Sequence, residues 1–228
     1  MNKAIERLDS VQKRIKNSCI QADRPADAVS LLAVSKRHSA AEVAVLNDSG
    51  LNSFGENQLQ EALEKQKDLI HLGLEWHFIG AIQSNKTRLI AENFQWVQSV
   101  DREKILQRLS TQRPASMPPL NICLQVNIDH EEQKAGANTE EIFQLAVLAD
   151  SLNNIKLRGL MAIPRLTNNL AEQHNSFRQV KGLFDELKNK GHDIDTLSMG
   201  MSADLDIAID EGSTMVRIGT DLFGQRQP

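Results

Sequence analysis

The chain contains no tyrosine in its 228 residues, and aromatic side chains make up only 4% of it. No phenol is therefore at hand as an acid or base. Cysteine is nearly as scarce. Cys19 and Cys123 lie far apart in different segments, too few for a secreted disulfide framework, so a reducing compartment is expected. No basic block stands out and the net charge is -4, which argues against a phosphate-neutralising nucleic-acid surface. No apolar run is long enough to span a bilayer. Residues Met1 to Ile20 mix Lys3, Glu6, Arg7, Asp9, Lys13, Arg14 and Lys16 among their apolar positions, which leaves no continuous core for a signal peptide. The expectation is a cytoplasmic protein with neither a nucleic-acid nor a membrane partner.

What is present is an ordinary soluble mixture, 40% hydrophobic and 25% charged, long enough for one large domain over residues 1–228 that buries its core without staples. The first segment carries Ile5, Leu8, Val11, Ile15 and Cys19 at near-helical spacing, which predicts an amphipathic helix. Its charge suits a monomer. After Pro25, short apolar strands alternate with helical patterns. The strand candidates are Ser30 to Ser35, Asn52 to Phe54, Glu75 to Ile79, Trp96 to Val100, Asn121 to Ile128, Lys156 to Ile163, Thr196 to Met199 and Met215 to Ile218. Between them, Ser39 with Glu42 predicts a capping box and Gly50 a stop. Asn138 to Leu152 carries Ile142, Leu145, Ala149 and Leu152 on one stripe, and Phe177, Val180, Phe184 and Leu187 form another stripe that ends at Gly191. Strict alternation predicts a parallel sheet, and about eight units predict a closed (β/α)8 TIM barrel preceded by an extra helix. An open doubly wound sheet is the alternative.

Chemistry in such a barrel collects at the carboxyl ends of the strands. Reading the residues there gives Lys36, Gly55-Glu56-Asn57, Gly80, Asp101, Asp129, Pro164, Gly200-Met201-Ser202 and Gly219-Thr220. Lys36 would direct its amine into the barrel mouth, where burial favours the neutral form that a Schiff base needs. An idle surface lysine is the bland reading. The two glycine-containing turns follow the seventh and eighth strands, where barrels often bind phosphate through backbone N–H groups. Ser202 reads as the cap of a helix holding Leu205, Ala208 and Ile209. Arg217 lies inside the apolar eighth strand, where it needs a partner. That partner is either a carboxylate elsewhere in the barrel or the pyridine nitrogen of a cofactor, which an always-charged donor would keep unprotonated and weak as an electron sink.

Several stretches together resemble the pyridoxal phosphate homeostasis protein family. They are Leu32-Ala-Val-Ser-Lys36, Phe54-Gly-Glu-Asn57, Trp76-His-Phe-Ile-Gly80, Gln83-Ser-Asn-Lys86, Arg158-Gly-Leu-Met-Ala-Ile-Pro164, Leu197-Ser-Met-Gly-Met-Ser202 and Met215-Val-Arg-Ile-Gly-Thr220. The family is similar to the barrel domain of bacterial alanine racemase without its β-rich second domain. The resemblance implies pyridoxal phosphate as cofactor and Lys36 as the residue that forms the internal aldimine. It places Asn57 near the ring's phenolic oxygen and Arg217 at the pyridine nitrogen. Met201 (through its backbone), Ser202, Gly219 and Thr220 would hold the phosphate. His77 is either near the site or a structural hydrogen-bonding group. Ala81 stands where many members have proline, and Gln58 where an aromatic or basic residue is common.

The resemblance also implies a carrier that releases cofactor to recipient apoenzymes by transimination. A racemase on the same scaffold is the first alternative, but two-sided proton transfer needs an acid/base group on each face. The tyrosine that serves one face in racemases has no counterpart here. A second alternative is a nucleotide-binding P-loop, since Gly80-Ala-Ile-Gln-Ser-Asn-Lys-Thr87 is one residue from G-x-x-x-x-G-K-S/T. A third, a Schiff-base aldolase, would need Asp101 and Asp129 as acid/base groups around Lys36. Both read more simply as caps of the following helices or loops.

Overall fold

The computed structural model describes residues 3–129, 131, 135–165 and 167–224. The first helix, α1 (Lys3–Gln21), buries Leu8, Val11, Ile15, Ser18 and Cys19 along one stripe, as its spacing requires. Eight strands follow in strict alternation with helices. They are β1 (Ser30–Val34), β2 (Ser53–Glu56), β3 (Glu75–Phe78), β4 (Trp96–Val100), β5 (Leu120–Val126), β6 (Ile155–Ala162), β7 (Thr196–Ser198) and β8 (Met215–Ile218). Each pairs in parallel with its neighbour, and β8 returns to β1, with Ala33 beside Ile218, to close the barrel. The open-sheet alternative is thereby set aside.

The helices are α2 (Ala40–Asp48), α3 (Leu59–Asp68), α4 (Thr87–Asn93), α5 (Glu103–Gln112), α6 (Thr139–Asp150), α7 (Leu170–Asn189), α8 (Leu205–Asp210) and α9 (Thr220–Phe223). The local signals act as expected in two cases. Ser39 and Asn138 each head a complete capping box, with Glu42 and Glu141 at the third position. One signal fails. Ser202 does not cap α8; a turn intervenes and Asp204 occupies the cap position, without a side-chain cap bond. Two strands keep the expected bounds and the ends of the others move by one or two residues. β5 stops at Val126 because the next backbone N–H, that of Asn127, bonds Ala137 rather than continuing the ladder.

Most of the core lies between strands and helices, with Phe54, Phe94, Ile105, Leu106 and Leu124 fully buried there. Inside the barrel a separate small cluster of Trp96, Cys123 and Met161 fills the middle. Closing the ring in this region requires a glycine. Gly159 sits at a register shift between β5 and β6 with φ +149, and a Cβ there would lie 1.9 Å from the Thr196 carbonyl.

Candidate functional site

The carboxyl end of β1 is tied to β2 before Lys36 is reached. Ser35 N–H donates to the Gly55 carbonyl (3.1 Å), and the Ser35 hydroxyl donates to Glu56 Oε1 (2.6 Å). The Lys65 ammonium, buried on α3, donates to the Ser35 carbonyl (2.8 Å) and to the same Glu56 oxygen (2.5 Å). Burial pushes the Glu56 carboxyl above its ordinary value, against the pull of Lys65 beside it. This knot fixes the backbone immediately before Lys36, so the half-buried lysine leaves a rigid platform and lines the cavity at the barrel mouth.

Asn57 follows β2 and faces the same cavity. Its Oδ1 is buried and has no hydrogen-bond partner among the described residues. A desolvated carbonyl oxygen without a donor is costly, so it marks a place where a ligand could complete the bonding. Gly80, at the end of the segment after β3, passes so close that a Cβ would fall 2.1 Å from the Asn57 carbonyl oxygen. Only glycine allows this approach.

Across the mouth, the turns after β7 and β8 lie side by side. Gly200 has φ +96, and a Cβ there would sit 2.6 Å from that of Ala208, so the turn can fold onto α8 only with glycine. Ser202, Gly219 and Thr220 line the cavity, and Gly219 heads α9. From behind, Arg14 of α1 grips both turns. Its Nη1 donates to the Ser202 carbonyl (2.8 Å) and approaches Asp221 (3.3 Å), while Nε and Nη2 chelate Asp206. Met201 also lines the cavity, but its backbone N–H is already engaged, donating to Asp204 Oδ1 (2.6 Å).

Arg217 reaches the cavity floor and is buried. No ion pair satisfies it among the described residues. Instead Nη1 donates to the Ser198 carbonyl (2.6 Å) and hydroxyl (2.8 Å), and Nη2 to the Ala162 carbonyl (2.8 Å). Burial lowers its pKa to about 10, which still leaves it charged at neutral pH.

All seven residues singled out in the sequence, Lys36, Asn57, Met201, Ser202, Arg217, Gly219 and Thr220, therefore line one cavity of about 480 Å³. That size falls within the range of cofactor and small-molecule sites. Of the other strand-end candidates Gly80 also lines this cavity, whereas Asp101 and Asp129 do not. Asp101 pairs with Arg102 (2.5 Å), and Asp129 binds the Ser176 hydroxyl (2.7 Å) and the Arg165 backbone N–H. His77 is buried at the opposite end of the barrel, bonded to Glu75 and Gln98, which is its structural reading. The P-loop-like stretch forms a 3-10 turn at Ser84–Lys86. Its Thr87 hydroxyl is buried, donating to the Ser84 carbonyl and accepting from Arg108, so it could not face a nucleotide's metal.

Sequence reasoning missed the polar residues behind the site. Lys65, Gln98 and Ser198 are the main ones. The available signal was a polar side chain in a segment where its neighbours are apolar and buried.

Comparison with known proteins shows the family. The alanine racemase N-terminal domain family matches residues 7–227. A pyridoxal phosphate homeostasis protein of Pseudomonas aeruginosa is 55% identical over 226 residues, covering 99% of this chain and 97% of that one. One from Escherichia coli is 44% identical, covering 99% and 98%. The solved structure of PipY from Synechococcus elongatus with PLP bound superposes with a TM-score of 0.85 at 35% identity, covering 97% of this chain and 100% of that chain. Alanine racemase of Clostridium difficile shares the fold alone, at 17% identity and a TM-score of 0.75, with 95% of this chain aligned to 57% of the racemase. Among the described residues no helix is long and apolar enough to cross a membrane. This chain belongs to the pyridoxal phosphate homeostasis protein family, built on the barrel of the alanine racemase N-terminal domain.

Proposed function

We propose that this chain binds pyridoxal phosphate in the barrel mouth through an imine bond from Lys36, and stores and delivers the cofactor rather than turning a substrate over. The observation that carries the reading is the convergence of seven residues from four strand ends on one cavity, one of them with a buried oxygen lacking a donor. The names of the relatives and the PLP bound to PipY support it. When bound, the cofactor supplies an aldehyde open to reversible exchange between amines.

The residues then take separable roles. Lys36 gives its amine to the aldehyde carbon with loss of water. Asn57 meets the phenolic edge of the ring, and Ser202, Gly219 and Thr220 hold the phosphate, with N–H groups at the start of α9 that have no acceptor within the helix. Met201 contributes through its backbone only if Asp204 gives up the N–H it now holds. Arg217, charged and donor-only, faces the ring nitrogen and keeps it unprotonated, which weakens carbanion stabilisation. An incoming amine takes the imine carbon and Lys36 leaves as the free amine, with no net oxidation or reduction. Recipient apoenzymes are the partners this release implies, and the chain itself acts as a monomer.

A racemase reading has little to stand on. Tyrosine is absent from the sequence, and burial pushes the Cys123 thiol to about 12, too high for a proton shuttle near neutral pH. Purified protein is expected to show no efficient alanine racemisation. The decisive measurement is the visible spectrum before and after borohydride reduction, followed by peptide mapping. The modified side chain is expected at Lys36, and a label on any other residue would end this reading.

A further inference from the structure

Arg217 is a cation held inside the barrel by neutral groups, and those groups do not end with Ser198. The Ser198 hydroxyl accepts from Arg217 and has one proton of its own, which it donates to Gln98 Oε1 (2.7 Å). That bond identifies the amide oxygen, so Gln98 presents Nε2 to Nδ1 of His77 (2.9 Å). The amide nitrogen only donates. Nδ1 must therefore accept, and the imidazole proton sits on Nε2, 3.0 Å from Glu75 Oε1. Gln98, His77 and Ser198 are all buried, while Glu75 reaches the opposite, N-terminal mouth.

The opposite polarity fails. Rotating the Gln98 amide would leave the Ser198 proton without this acceptor. It would also put the His77 proton on Nδ1 and turn a bare Nε2 lone pair toward the Glu75 carboxylate. The alternative, a fully buried imidazolium, is opposed by desolvation. Trp96 stacks on the imidazole at 5.1 Å and fixes its plane.

We propose that Gln98 is a positioning residue for Arg217, the central link of a one-directional hydrogen-bond chain running Arg217, Ser198, Gln98, His77, Glu75 through the barrel axis. Each link donates to the next, so the chain connects the buried guanidinium to a carboxylate at the far mouth without an ion pair, and its links polarise one another in the same sense. The guanidinium is thus oriented from behind before any cofactor arrives. Its effect on a ring nitrogen rests on the reading of Arg217 given above.

Two measurements test this. The first uses apo-protein labelled with nitrogen-15 at histidine. Wild-type His77 is expected with a protonated Nε2 and a bare Nδ1, and Gln98→Glu, whose ionised carboxylate only accepts, is expected to bring a proton onto Nδ1 while Nε2 keeps its own toward Glu75. A wild-type imidazole protonated on Nδ1 or on both nitrogens near neutral pH would overturn the chain, as would an Nδ1 still bare in Gln98→Glu. The second compares visible spectra of pyridoxal phosphate-loaded Gln98→Glu, Gln98→Leu and Arg217→Gln. The Gln98 variants are expected to shift the band in the direction of Arg217→Gln, by less. A band moved by Arg217→Gln alone would overturn the positioning role. A band unmoved by Arg217→Gln would instead remove the Arg217 reading, and with it what Gln98 does for the cofactor.

Discussion

At the N-terminal mouth of the barrel, Arg158 lies over the Trp96 ring at 4.6 Å, Trp96 stacks on His77, and Arg158 also chelates Asp195. At the C-terminal mouth, Lys36, Asn57 and the two glycine turns surround a cavity instead of one another. The same eight strands thus end in a self-packed plug on one side and an open cradle on the other. Among the described residues Asn57 Oδ1 is a buried atom without a partner, and it lines the cavity. The contrast teaches that packing and an open cradle are kept at opposite ends of one barrel. The plug closes its bonds internally, while the cradle leaves some to be closed by a guest.

If that separation holds, substitutions at the two ends should have different signatures. The largest effect is expected for Lys36→Ala, which removes the visible band of reconstituted protein completely while leaving the melting transition nearly unchanged. A retained band would erase the contrast at its strongest point. Trp96→Ala empties the plug and is expected to cost ~3–5 kcal/mol in urea unfolding, the range for large aromatic truncations. Below the unfolding midpoint the variant should still take up cofactor. Loss of uptake in its folded form would show that the two ends are not independent.

Acid should attack the plug before the cradle. Burial lowers the His77 pKa below its ordinary 6.5, and the His77 hydrogen bond lowers Glu75 to about 2. In both cases the unfolded chain binds more protons than the folded one, so stability present at neutral pH is lost as pH falls. The loss begins below about 6.5 through His77 and continues from 4.5 toward 2 through Glu75. Thermal midpoints measured against pH should show this slope, and His77→Gln should flatten its upper part.

The smallest expected effect separates affinity from stability within the cradle itself. Arg14 and Asp206 are both substantially exposed, so the ion pair is worth only about 0.2–1 kcal/mol to the fold. Because Arg14 also holds the Ser202 carbonyl, Arg14→Ala should weaken pyridoxal phosphate binding severalfold by equilibrium titration with little change in urea midpoint. A change in stability alone would make Arg14 a bystander to the phosphate turns.

The sequence by itself determined the alternation of strands and helices, the capping boxes at Ser39 and Asn138, and the strand-end residues that face the cavity. These are local properties, carried by periods of two or 3.6 residues and by turn chemistry that operates within a few positions. The tertiary structure alone decided that Asp204 rather than Ser202 heads α8, that the Met201 N–H is already taken, and that Lys65 stands beneath Lys36. It alone brought Gln98 to Ser198, a hundred residues away, and both to Arg217. The reason is closure. Winding eight strands into a ring brings side chains from distant segments onto one axis, where a polar residue must find a partner, and nothing in the order of the chain names that partner beforehand.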